Sequence, residues 1–142
     1  QGLDIHLRDS RARAVERRMT GRTILYVEDN EANRKIVRLL LKSTTYTLIE
    51  AHDGEAGVTA AIERHPDLIL MDIQLPKISG LEAIRRIRSD ASAVEIPIIA
   101  ITSFALAGDD VRAREAGATE YLAKPYSPRE LLALIRRLAP EG

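Results

Sequence analysis

The sequence predicts an α/β fold, a parallel β-sheet whose successive strands are joined by helices. Three observations predict it. From Thr23 onward, short apolar runs alternate with longer stretches of helical period, which is the pattern of repeated β-α units. Several of those runs stop at a polar or charged residue: Thr23-Ile24-Leu25-Tyr26-Val27 at Glu28-Asp29, Pro66-Asp67-Leu68-Ile69-Leu70-Met71 at Asp72, Ile96-Pro97-Ile98-Ile99-Ala100-Ile101 at Thr102, and Tyr121-Leu122-Ala123 at Lys124. Helix start signals follow at the intervals the alternation requires.

Taken in order, the elements are a strand over 23–27, a helix over 31–43, a strand over 46–51 and a helix over 54–64. A strand over 67–72, a helix over 80–89, a strand over 97–102, a helix over 107–116, a strand over 119–123 and a helix over 127–138 complete the five units. Ser79-Gly80-Leu81-Glu82 and Ser127-Pro128-Arg129-Glu130 fit the capping box, in which a hydroxyl and a glutamate satisfy orphan amides of the first helical turn. Pro128 sits at the first helical position, where a missing N–H costs nothing. Gly117 suits the left-handed residue that ends helix 107–116. Leu131, Leu134, Ile135 and Leu138 share one face of the last helix, with Arg129, Arg136 and Arg137 largely off it, so this helix packs on a sheet.

At 142 residues the chain holds one ordinary core. Residues 1–21 form a separate basic extension, which reads first as an upstream leader with Met19 as a plausible natural start and second as an arm that contacts a partner; Ala12, Val15 and Met19 could line one side of a short helix. Residues 22–142 form the domain. Residues 1–22 carry six Arg against three acids, net +3, and residues 23–142 carry fifteen bases against eighteen acids, net −3. A folded part of that sign is no general polyanion binder, so no nucleic-acid partner is expected. The longest apolar run falls well short of the roughly 18 residues of a membrane span, which predicts no membrane anchor and a cytoplasmic address. Without cysteine there is neither a disulfide nor a thiolate metal site.

In an open parallel sheet, ligands bind outside the carboxyl ends of the strands. Glu28, Asp29, Asp72, Thr102 and Lys124 are all predicted there. Carboxylates crowded at one edge repel unless a cation neutralises them. Mg²⁺ answers that need, taking oxygen ligands while leaving positions for phosphate oxygens; no His or Cys lies at zinc spacing. Lys124 offers a point charge and Thr102 a hydroxyl, both suited to a phosphoryl group. Asp72 follows the most continuous apolar strand, which makes it the nucleophile of an aspartyl phosphate; Glu28 and Asp29 hold the metal. Alone, each acid reads as a turn or cap residue, the Lys-Pro as a surface turn and the Thr as a strand former. Four strand ends carrying complementary groups are hard to obtain by chance.

From about Thr23 to Leu138 the sequence resembles the receiver domains of bacterial two-component response regulators. The stretches that carry the resemblance are Ile24-Leu25-Tyr26-Val27-Glu28-Asp29-Asn30, Pro66 through Pro76, Ile98-Ile99-Ala100-Ile101-Thr102 and Tyr121-Leu122-Ala123-Lys124-Pro125. Pro76 and Gly80, four and eight residues after Asp72, match the family's phosphorylation loop. The resemblance implies a flavodoxin-like, doubly wound (βα)5 fold with strand order 2-1-3-4-5 and a Lys124-Pro125 peptide that is usually cis. It implies Mg²⁺ held by Asp29, Asp72 and the backbone carbonyl of Gln74, with Glu28 acting largely through water. Asp72 would be phosphorylated from a phosphohistidine on a sensor histidine kinase or histidine phosphotransfer protein. Thr102 and Tyr121 would be the switch residues, changing the face made by helix 107–116, strand 119–123 and helix 127–138.

The Asn30-Glu31-Ala32-Asn33 and Met71-Asp72-Ile73-Gln74 stretches lean toward receivers of hybrid kinases and of stand-alone relay or cell-cycle regulators. Ser79 stands where many members have Asp and keeps the capping role. Gln74 and Phe104 flank the phosphoryl group in such receivers. Neither is an acid able to orient an attacking water, so the phosphorylated state is expected to last longer than seconds. Arg34, Lys35 and Arg38 read as a solvated basic face of the first helix, which in the resembled family meets the kinase; His6, His52 and His65 read as solvated or cap residues. With four residues after the last helix and no DNA-binding helix pair, the expected function is a signalling phosphoacceptor acting through protein contacts, not an enzyme. The alternative is a small Mg²⁺-dependent phosphohydrolase using Asp72; its general acid two residues on would have to be Gln74, which cannot donate a proton in that way. A flavodoxin-like electron carrier is disfavoured, because Glu28-Asp29-Asn30-Glu31 would repel a flavin phosphate.

Overall fold

A computed structural model describes residues 21–103 and 107–141. The expectations for residues 1–20, including Ala12, Val15, Met19 and His6, and for Phe104 lie outside the described residues. Ten elements follow one another: β1 (Thr23–Val27), α1 (Glu31–Leu41), β2 (Thr47–Ala51), α2 (Gly54–Arg64), β3 (Leu68–Asp72), α3 (Gly80–Arg88), β4 (Ile98–Thr102), α4 (Asp109–Ala116), β5 (Glu120–Ala123) and α5 (Pro128–Leu138). The strands form one parallel sheet in the order β2-β1-β3-β4-β5, as the resemblance implied.

The apolar runs are continuous because the central strands are covered on both faces. Ile24, Tyr26, Leu68, Leu70, Ile99 and Ile101 pack with Val37 and Leu41 of α1 and Leu131 and Ile135 of α5. The alternate residues Leu25, Val27, Ile69, Met71, Ile98 and Ala100 pack with Ala61 of α2, Ala83, Ile84 and Ile87 of α3, and Ala113 and Ala116 of α4. That two-residue alternation sends α1 and α5 to one side and α2, α3 and α4 to the other. The register pairs Val27 with both Ala51 and Met71, Asp72 with Ile101, and Thr102 with Ala123. The carboxyl ends of the strands therefore lie side by side.

The caps differ in detail from expectation. Ser127 and Glu130 form the full reciprocal box. At Ser79 only half forms: its hydroxyl accepts from the Glu82 amide, while the Glu82 carboxylate accepts from Arg86 Nε at 3.1 Å. The (i, i+4) ion pair has captured the side chain that would have reached back. Helix α4 starts two residues later than predicted, at Asp109, because Gly108 before it takes a positive φ of 86°. Gly117 closes the same helix at φ 120°, its amide donating to the Ala113 and Arg114 carbonyls. Asn30 and Asp53, both unassigned as caps, accept from the amides of Asn33 and Ala56. His65 is the left-handed C-cap of α2, and His52 is exposed. No helix among the described residues is long and apolar enough to cross a membrane.

Candidate functional site

Asp72 is the last residue of β3, and its position is fixed by backbone before any side chain acts. The Ile73 amide after it donates to Ile101 of β4, and the Gly80 amide at the head of α3 donates to the Ile73 carbonyl. A Cβ on Gly80 would collide with the Asp72 carbonyl and the Ile73 Cα. Only glycine lets α3 begin this close behind the acid. One Asp72 oxygen accepts from the Gln74 amide at 2.9 Å.

Glu28 follows β1 and continues its ladder, its amide donating to Ala51 of β2. Its side chain is 1% exposed, against 4% for Asp72 and 0% for Thr102; Asp29 is open to solvent. Burial of an acid requires donors, and Glu28 has four. Oε1 accepts from the Tyr26 hydroxyl at 3.2 Å, Asn33 Nδ2 at 3.1 Å and Lys124 Nζ at 3.2 Å, and Oε2 accepts from the Asn30 amide at 3.3 Å. Carboxylate oxygens of Glu28, Asp29 and Asp72 lie within 4.8 Å of one another. Lys124 follows β5, its amide donating to the Thr102 carbonyl, and its peptide bond to Pro125 is cis. The four strand ends thus bring Glu28, Asp29, Asp72, Thr102 and Lys124 to one edge.

Burial pushes the Asp72 carboxyl up to about 7, with the hydrogen bond and charge of Glu28 adding to it, while the Gln74 amide and Lys124 oppose. For Glu28, burial also opposes ionisation, but the bond shared with Asp72, the Lys124 charge and the Asn30 amide outweigh it and hold this carboxyl low. The two neighbouring carboxyls are therefore pushed in opposite directions, Asp72 toward its protonated form and Glu28 toward the carboxylate. Three acids whose oxygens converge in this way have the donor set for a hard divalent cation.

Several functional contacts had only faint sequence signals. Tyr26 places a hydroxyl among the apolar residues Ile24, Leu25 and Val27 of β1, and it serves Glu28. Asn33 reaches the same carboxylate from α1. Arg34 leaves the predicted basic face: it is 5% exposed, donates to the Glu28 carbonyl at 2.7 Å and to Glu31 at 2.5 Å, and pairs with Glu50 of β2 at 3.3 Å. Arg38 donates to Glu31 and Glu50, and Lys35 alone of the three is exposed without a described ion pair. The Gln74 side chain also spans the site, donating to the Thr102 hydroxyl and accepting from the Ser103 amide. Tyr121 is half-buried, and its hydroxyl, buried, has no hydrogen-bond partner among the described residues. Burial first, then Asp109 and Asp110, raise its pKa.

A family model described as the response regulator receiver domain matches residues 24–136. The polar-differentiation response regulator DivK of Brucella ovis is 42% identical over 115 residues, which cover 81% of this chain and 94% of that protein. The receiver domain of a sensor histidine kinase from Pseudomonas aeruginosa, solved with a magnesium ion coordinated in its active site cleft, superposes with a TM-score of 0.77 at 39% identity, covering 83% of this chain and 97% of that one. A CheY-like receiver domain protein from Methanospirillum hungatei gives 0.76 at 28% identity over 82% and 91%. With a matched region that runs from β1 to the last turns of α5 and takes in every strand end described above, the chain belongs to the response regulator receiver domains of two-component systems.

Proposed function

We propose that this receiver accepts a phosphoryl group on Asp72 from a phosphohistidine of a sensor histidine kinase or histidine phosphotransfer protein, and signals through protein contacts from the cytoplasm. The observation that carries this is a buried, backbone-anchored acid with Lys124 and two further carboxylates at its side. In the transfer, an Asp72 oxygen attacks phosphorus and the P–N bond breaks. Its electron pair stays on the imidazole, which takes a proton from solvent, and an acyl phosphate remains on Asp72. Burial favours the protonated form of Asp72, so the group must be ionised before attack, since only the carboxylate is nucleophilic. Asp29, Asp72 and the Gln74 carbonyl, with Glu28 largely through water, would hold Mg²⁺, which when bound would supply positive charge for the transferring oxygens. Lys124 adds a fixed cation, and Thr102 a donor.

Residues 22–142 act as the receiver unit and residues 1–21 lie outside it. Thr102 and Tyr121 are the proposed switch pair: a new charge at Asp72 biases a two-state element. The incoming kinase or phosphotransfer helix would meet α1, where Lys35 and Arg38 flank the exposed Ile36 and Leu39. Charge reversal at Arg38 that leaves phosphotransfer rates unchanged argues against that face.

Incubation with Mg²⁺ and a small phosphodonor such as acetyl phosphate, followed by intact mass, tests the proposal. A lasting phosphoryl adduct on the wild type and none on Asp72→Asn is expected. Catalytic phosphate release without an adduct would instead mark a phosphohydrolase.

A further inference from the structure

Gln74 contacts both halves of the site at once. Its backbone amide donates to Asp72, its side-chain nitrogen donates to the Thr102 hydroxyl, and its side-chain oxygen accepts from the Ser103 amide at 2.9 Å. The amide cannot be turned the other way. Ser103 N–H has a hydrogen to give and must face the Gln74 oxygen, which leaves the nitrogen for Thr102. The side chain thereby ties the loop after β3 to the end of β4, 28 and 29 residues away in sequence. It does so although Gln74 is itself exposed, with water as a competing partner.

We propose that Gln74 is a resting-state latch, a positioning residue that occupies the Ser103 amide donor at the end of β4 until a phosphoryl group claims it. The inference rests on the reading of Asp72 as phosphoacceptor. A phosphoryl group on Asp72 brings three oxygens that only accept hydrogen bonds. The Ser103 amide has one hydrogen, committed to Gln74, so a bond from it to a phosphoryl oxygen requires release of the Gln74 oxygen. The exchange is favourable, because a charge-assisted bond replaces a neutral one and the freed glutamine amide returns to water. It still subtracts from the affinity of the site for the phosphoryl group. Losing a neutral bond of ordinary strength corresponds to about threefold to tenfold in an equilibrium constant. Removal of the side chain leaves the backbone carbonyl of residue 74 in place for the cation.

Beryllium trifluoride with Mg²⁺, a non-reacting phosphoryl mimic, is the probe. Wild type, Gln74→Ala, the volume-matched Gln74→Met and Asp72→Asn are titrated by calorimetry, and amide hydrogen exchange at Ser103 is followed in the unliganded proteins. Both Gln74 variants should bind the mimic about threefold to tenfold more tightly than wild type and lose protection at Ser103. Equal or weaker binding by both variants, or unchanged exchange at Ser103, overturns the latch while wild-type binding upholds the phosphoacceptor. Absence of wild-type binding overturns both.

Discussion

At Asp72 the burial that fixes the carboxyl group also works against its ionisation. The group is raised from 3.8 to about 7 in the folded protein and sits near 3.9 in the unfolded chain. Folding therefore takes up a proton between those values. The stability this group contributes is fully present below about pH 4 and is lost as pH rises through about 7. Glu28 and Asp72 titrate together, so the loss is smaller than the full span implies, on the order of 2 kcal/mol. Without divalent cations, Asp72→Asn should be more stable than wild type by about that amount at pH 8 and nearly equal to it at pH 4. Urea unfolding in chelator at both pH values checks this; parallel pH profiles would contradict it. Gln74 and Phe104, neither of them an acid, set a second expectation at this scale. Pulse-labelled phosphoprotein should retain its label for minutes or longer, and decay within seconds would refute the role assigned to their neutrality.

Among the elements, α1 and β2 hold the acid-bearing loop through Arg34. The guanidinium bonds to the Glu28 carbonyl, and Glu31 and Glu50 balance its buried charge. Arg34→Ala leaves a buried carbonyl and two acids without that partner and should cost about 2 kcal/mol. Lys35→Ala, one residue away on the exposed side, should cost less than about 0.5 kcal/mol. Denaturant midpoints for the two variants decide this, and equal costs would show that Arg34 is no more than a surface charge. Sequence periodicity alone leaves Arg34 among the cations of its helix. Its partners are a backbone carbonyl and a carboxylate on another strand, and neither contact has a local signature. Ser79 and Glu82 show the same limit from the other direction. Their spacing is right for a reciprocal box, yet Arg86, a turn later, takes the glutamate. The start of α4 was misplaced because Gly108 adopts a left-handed conformation that apolar periodicity does not register.

For the molecule as a whole, the strand-end chemistry was legible because a parallel sheet converts sequence position into spatial position. Every central strand is buried on both faces, so its apolar run is unbroken and its end is marked by the first polar residue. Asp72, Thr102 and Glu28 were readable for that reason. The contacts of Tyr26 and Asn33 with Glu28, and of the Gln74 side chain with Thr102 and Ser103, were not, since they depend on which way individual side chains point. Shared cation binding at Glu28, Asp29 and Asp72 predicts a global effect. Mg²⁺ at about one hundred times its dissociation constant should stabilise the fold by about 2.7 kcal/mol. Asp29→Asn should lose most of that gain, and an undiminished Mg²⁺-dependent rise in the melting temperature would place the cation elsewhere.

The most direct measurement locates the phosphoryl group itself. After labelling with a phosphohistidine donor or acetyl phosphate, borohydride reduction converts an acyl phosphate to the corresponding alcohol, and peptide mass spectrometry identifies the residue changed. Homoserine at position 72, dependent on Mg²⁺, is the predicted result. Reduction at another acid, or a labelled histidine with Asp72 unmodified, would contradict it.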